Sequence, residues 1–204
     1  MNITVQTPNL RDIERRLGDL KPEASKAMAR AINRASQSAT TQMKKLATKD
    51  YIIKQQDIAK AIKKPQKADK NNLKTEVLVM GRKIFLSKFK INPKKPWNIS
   101  SGSNSRKKRR LKRPENYKAQ VKKASSLKRL LKSFVINTRN GPQMVSRRPN
   151  LQGQKKFIFS FGPSIPDMLA NRRNYQIIKQ ETISVLQRRI DHEINRILEN
   201  VQNR

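Results

Sequence analysis

The chain contains no cysteine. Disulfides, thiolate metal sites and cysteine nucleophiles are therefore excluded, and a reducing cytoplasm is the expected place of synthesis. There is one histidine, His192, so imidazole chemistry has a single candidate. Aromatic residues make up 5% of the 204 residues and the hydrophobic set 35%, which predicts a modest core. Glycine is scarce, with six residues. Neither a G-x-G-x-x-G loop nor a P-loop can be written through them, and no H-E-x-x-H is present. No apolar stretch approaches the roughly 20 residues needed to span a bilayer. The opening, MNITVQTPNLRDIERR, has no apolar run of signal-peptide length. No membrane partner is expected.

Negative charge is the scarcest property. Lys and Arg number 48 against 14 Asp and Glu, a formal net charge of +34. The imbalance is concentrated. Residues Arg82 to Lys156 hold 24 basic residues and one acid, Glu115, whereas residues 1–81 hold 17 basic and 8 acidic residues and residues 157–204 hold 7 and 5. A centre of this kind repels itself and calls for a polyanion, an acidic surface or water around it.

What is present is a periodic frame. Leu10, Ile13, Leu17 and Leu20 predict a short amphipathic helix, with Asp12 and Glu14 opposing the helix dipole in its first turn. A longer helix starts near Pro22, a residue suited to the first helical turn. Its apolar stripe is Ala27, Met28, Ala31, Ile32, Ala35, Ala39, Met43 and Leu46. A short helix, QQDIAKAIKK, follows and is stopped by Pro65. Residues KTEVLVM alternate, and with RKIFLSKFKI after Gly81-Arg82 they predict a β-hairpin. Residues Val121 to Val135 show helical spacing at Leu127, Leu130, Leu131 and Phe134, while Phe134-Val135-Ile136 has strand character. Both readings stay open. Asn140-Gly141 predicts a tight turn between strands at Phe134–Thr138 and Gln143–Arg148. KKFIFSF reads as a further strand. A long C-terminal helix follows, with Leu186, Ile190, Ile194, Ile197 and Val201 as its buried stripe. The fold class expected is α+β: a small antiparallel sheet packed against a long N-terminal and a long C-terminal helix, in one domain spanning residues 1–204.

Catalytic groups do not converge. Asp191, His192 and Glu193 are consecutive, so on a helix they point in three directions and cannot share one metal ion. Arg188 and Arg196 beside His192 would repel a cation as well. Ser125 to Lys128 matches an S-x-x-K spacing, but no S-D-N or K-T-G partner accompanies it. No catalytic residue, metal site, cofactor or small-molecule substrate is expected. The functional candidate is the basic run Arg106, Lys107, Lys108, Arg109, Arg110, Lys112 and Arg113, interrupted only by Leu111. It lies within an insertion spanning Pro93 to Gln120, read as a mobile loop, with Trp97 and Tyr117 flanking the run as possible stacking surfaces. Such a run suits contact with nucleic-acid phosphates or with an acidic protein, or it is a solvated excursion.

Two segments carry a resemblance. One is AMARAINRASQSATTQMKKLATKDYIIKQQDIAKAIKK with EVLVMGRKIFLSKFK after it. The other is FGPSIPDMLANRR continuing to RRIDHEINRILEN. Their order is similar to the minor tail protein Z family of lambda-like tailed phages, over most of Ala27 to Lys90 and Phe134 to Leu198. The most specific piece is Phe161, Gly162, Pro163 and Ser164 with Pro166, read as a helix entrance or an interface. The phrase Ala31-Ile32-Asn33-Arg34-Ala35 supports it. The resemblance implies a non-enzymatic tail completion protein, assembled in the host cytoplasm into the virion at the head-proximal end of the tail. It further implies a homo-oligomeric ring of sixfold symmetry, with tail terminator, tail tube and head–tail connector proteins as partners and a contact with the DNA end. The basic insertion is longer than the family pattern, so the role of its residues does not carry over. A nucleic-acid-binding protein of ribosomal or nucleoid type is the alternative that the charge alone allows.

Overall fold

A computed structural model describes residues 1–6, 10–17, 21–94, 117–139, 141–147 and 157–202. Among them the chain is α+β, with three small antiparallel sheets and two long helices. It forms two compact units. Unit 1 comprises Met1–Ala47, Gln55–Gly81 and Ile165–Arg204, and unit 2 comprises Thr48–Lys54 and Arg82–Ser164.

Unit 1 is organised by helices α1 (Leu10–Leu17), α2 (Lys21–Asp50), α3 (Gln55–Ala61), α4 (Ile165–Leu169) and α5 (Arg172–Gln202). The last turn of α2 runs into unit 2. Pro22 sits in the first turn of α2, where its missing N–H is no loss, and Glu23 beside it favours the positive end of the helix dipole. The alanine-rich stripe of α2 is buried from Ala27 through Met43, with Ala31, Ile32, Ala35 and Met43 wholly enclosed. Its hydroxyl residues bond to their own helix: Ser36 Oγ donates to Asn33 O at 2.9 Å and Thr40 Oγ1 to Ser36 O at 3.0 Å. Ser36 is thus buried at little cost.

Helix α5 buries Ile178, Thr182, Leu186, Ile190, Ile194 and Ile197. Asn171 caps it by accepting a bond from Arg173 N at 3.3 Å. Leu198 and Val201 in the last turns are exposed. The expected stripe therefore ends at Ile197, because an apolar position is buried only where another element covers it.

The expected hairpin at residues 74–91 does not form. Strand β2 (Lys74–Leu78) pairs instead with β1 (Asn2–Gln6), from Asn2 opposite Leu78 to Gln6 opposite Lys74. Ile3 and Val5 join Thr75 and Val77 on the buried face. Residues Leu86–Lys88 form a 3₁₀ turn, and the buried pair Leu86 and Phe89 has its three-residue spacing. A three-residue spacing cannot sustain the two-residue alternation of a strand, so the run after Ile84 does not continue as one, whereas β1 is too short to stand out from composition. On the exposed face Lys74 Nζ lies 2.8 Å from Glu76 Oε1, and Asn2 Nδ2 donates to Oε2 at 3.2 Å. The bond from Lys74, helped by Asn2, holds the Glu76 carboxyl below the usual carboxylate range.

Unit 2 contains two three-stranded sheets. One is β3 (Lys90–Asn92), β4 (Tyr117–Gln120) and β5 (Lys128–Leu130). The other is β6 (Ser133–Thr138), β7 (Gly141–Arg147) and β8 (Phe157–Phe159). The open choice at residues 121–135 resolves to strand. Leu131, required for a helical stripe, is 71% exposed, and Lys132 adopts a positive φ of 53° between β5 and β6. The hairpin expected around residue 140 forms, with Thr138 opposite Gly141. Gly141 has φ +92°, a conformation that favours glycine.

Candidate polyanion-binding cleft

The basic run Arg106, Lys107, Lys108, Arg109, Arg110, Lys112 and Arg113 lies outside the described residues, as does Trp97. The residues that lead into and out of that segment are described, and they build a cationic surface in unit 2. Antiparallel pairing sets Ile91 opposite Ala119, and both are buried with Tyr117. Alternation then sends Lys90, Asn92 and Lys118 to the other face. Lys118 stands directly opposite Arg129 on β5, and both are exposed. Like charges across a strand pair destabilise it unless an anion lies between or above them. Tyr117, a candidate stacking surface by its place beside the basic run, is 1% exposed and serves as core.

Beside this sheet is an open cleft of about 840 Å³. Its walls carry Lys54, Lys88, Lys90, Lys94 and Lys123, and among the described residues no carboxylate lines it. Ile52, Phe89 and Ile91 supply apolar lining. Backbone bonds fix the walls. Ile52 N donates to Val121 O at 2.9 Å and Lys123 N donates to Asp50 O at 2.9 Å. The Lys122 ammonium lies 5.9 Å from the centroid of the Tyr51 ring, a cation–π contact. Ser125 closes the turn after β4 by donating from Oγ to Lys122 O at 2.9 Å, which leaves Lys123 exposed at the rim.

Lysine is a compact point charge with rotatable donors, suited to tracking phosphates rather than reading bases. Four of these lysines, Lys54, Lys90, Lys94 and Lys123, have no carboxylate partner among the described residues. The sequence reading missed them because they are scattered over about 70 positions rather than forming a run. The only signal was the shortage of acid from Arg82 onward.

The second set of expected site residues is divided. Phe161, Gly162, Pro163 and Ser164 belong to unit 2, while Pro166 belongs to unit 1, in the first turn of α4. The chain crosses between the units at Ser164–Ile165. Phe161 is 47% exposed and stacks on Phe85, with ring centroids 4.8 Å apart, and Phe85 meets Phe159 edge-on at 5.7 Å. Gly162 N donates to Ile84 O at 2.7 Å. A Cβ at Gly162 would lie 2.5 Å from Phe89 Cε2 and 3.0 Å from Cζ. Phe89 is 4% exposed, so its ring has little room to retreat. Gly162→Ala is expected to destabilise unit 2 by about 1–3 kcal/mol through overpacking. Urea unfolding followed by a probe in unit 2 measures this, and an unchanged midpoint would contradict the close approach.

His192 is exposed on α5. Among the described residues no group of His, Asp, Glu or Cys could hold a metal ion, and no helix is long and apolar enough to cross a membrane. No protein-family model matches the chain, and neither the curated proteins nor the solved structures compared with it give a match.

Proposed function

We propose that this chain is a non-enzymatic structural protein of a tailed-phage virion. It acts in tail completion at the head-proximal end of the tail and is held there partly by anionic neighbours. The observation that carries the anionic part is the unit 2 cleft, where Lys54, Lys90, Lys94 and Lys123 have no carboxylate partner among the described residues. The tail assignment rests on the resemblance of Ala27–Lys90 and Phe134–Leu198 to minor tail protein Z sequences. An α+β chain with a long N-terminal and a long C-terminal helix is compatible with that resemblance.

Charge shapes the proposed assembly. Each copy carries +34, so a closed ring of copies would repel itself strongly unless DNA or acidic neighbours screened it. The chain is therefore expected to be monomeric alone in low salt and to oligomerise on a polyanion or on the tail end. Sedimentation in low salt, with and without short duplex DNA, tests the coupling, and a stable hexamer in the protein alone would contradict it. The location is tested by labelling the chain in finished particles. Label at the neck, with tail terminator, tail tube and connector proteins cross-linked to it, is the expected result. Recovery with ribosomes or nucleoid instead would replace this reading with the nucleic-acid-binding one.

A further inference from the structure

Unit 1 contains a second cationic feature, on the opposite kind of scaffold. A groove of about 490 Å³ lies between α2 and α5. From α2 it is lined by Arg34, Gln37, Ser38 and Thr41, and from α5 by Val185, Arg188, Arg189 and His192. Each set follows the i, i+3, i+4, i+7 spacing that puts four side chains on one helix face. Two such stripes facing one another normally build an apolar seam. Here only Val185 is apolar, and three of the eight are arginines.

The adjoining turn shows what neutralisation looks like on this surface. Arg30, four residues before Arg34, lies 3.0 Å from Glu193 Oε2, whose side chain is 13% exposed, and Arg196 reaches the same oxygen at 3.4 Å. That oxygen has no partner in hydrogen-bond geometry, so the contact is chiefly ionic. Asp191 pairs with Arg16 at 2.9 Å. Both nearby carboxylates of α5 are thus taken by other arginines. Among the described residues, Arg34, Arg188 and Arg189 have no carboxylate partner, and no hydrogen bond engages the side chains of Gln37 and Ser38. Thr41 Oγ1 donates to Gln37 O, which satisfies that hydroxyl proton.

We propose that the groove is a phosphate-binding site, distinct from the lysine cleft of unit 2. Three guanidinium forks with a hydroxyl and an amide offer more donors than a two-oxygen carboxylate can accept. A phosphate group, with more oxygens and the matching bidentate geometry, uses them. At about 490 Å³ the groove holds phosphate-sized groups and is far too small to enclose a duplex. Its ligand is therefore a free phosphate or the backbone of a single strand, which share this chemistry.

The test records the arginine side-chain Nε–H NMR signals of the full chain during titration with inorganic phosphate and, separately, with a short oligothymidylate. Saturable shifts of Arg34, Arg188 and Arg189 ahead of other arginines support the site. If phosphate alone produces them, the ligand class is free phosphate; if only the oligonucleotide does, it is the strand backbone. Uniform shifts across the surface arginines, or none at these three, overturn the proposal. In parallel, R34Q/R188Q/R189Q is compared with K60Q/K63Q/K64Q, which removes equal charge from an exposed part of unit 1. If the strand backbone is the ligand, the arginine variant should bind oligothymidylate about tenfold more weakly than the lysine control. Its slope of log K against log salt should then be shallower by about 2. Equal losses in the two variants would mean generic charge and sink the strand-backbone form. The NMR titration of the unaltered chain decides the matter even if a variant misfolds.

Discussion

Replacing Lys54, Lys90, Lys94 and Lys123 together by Gln should flatten the salt dependence of duplex DNA binding. A lysine that neutralises a phosphate releases a counterion, and each such contact contributes about 0.9 to the slope of log K against log salt. Four contacts give a change of about 3.6. Between 50 and 200 mM salt the unaltered chain should then lose about 150-fold more affinity than the variant. These four line the unit 2 cleft, and none has a carboxylate partner among the described residues. Their removal should not unfold unit 2, because Lys54, Lys90, Lys94 and Lys123 are exposed. The matching control is K60Q/K63Q/K64Q/K67Q in unit 1, which removes the same charge from exposed positions outside the cleft. Equal slopes for the two variants would show that the cleft does not sit on phosphates. The cleft would then be a docking site for an acidic protein, and its variant should instead lose tail association.

The second large effect is on stability. Asn33 lies inside α2, where an asparagine is a mediocre helix former. Its side chain works as a substitute strand edge. Nδ2 donates to Ala68 O at 3.0 Å and Oδ1 accepts from Ala68 N at 2.8 Å, across 35 residues of chain. The pair anchors the irregular segment between α3 and β2, where Ala68 is 6% exposed. The same segment is held by Thr75 Oγ1, which donates to Gln66 O. Asn33→Ala should cost about 2–5 kcal/mol, because both backbone groups of Ala68 lose their partner and each orphaned group costs about 1–3 kcal/mol. The loss exceeds the few tenths of a kcal/mol that Ala gains in helix propensity. Asn33→Asp is the sharper variant. It keeps an acceptor for Ala68 N but sets a carboxylate oxygen against Ala68 O, so it should be no more stable than the alanine. Denaturant unfolding of unit 1 reads both. An Asn33→Ala midpoint within experimental error of the unaltered chain would show that residues 62–73 are not pinned by this contact.

Asn33 also illustrates why the resemblance phrase Ala31-Ile32-Asn33-Arg34-Ala35 was legible without being explained. The alanines and Ile32 announce a buried helical stripe through their period alone. Asn33 and Arg34 gain meaning from residues far along the chain: Ala68 for the first, and Arg188 with Arg189 for the second. The cleft lysines behave similarly. Lys54 follows α2 and Lys123 follows β4, and the bonds Ile52–Val121 and Lys123–Asp50, with the Lys122–Tyr51 contact, bring those two stretches together.

The sequence by itself determined the two long helices, the hairpin around Gly141 and the concentration of positive charge in the middle of the chain. Each is a local property, set by a repeat of three to four residues, by a residue that tolerates positive φ, or by a count of charges. The tertiary structure alone decided that β2 takes the N-terminal strand as its partner, that Tyr117 is core rather than a stacking surface, and which cations face one cleft. Strand partners and cation neighbours depend on contacts between distant residues. A five-residue strand or an isolated lysine carries too little local pattern to reveal where its partner lies.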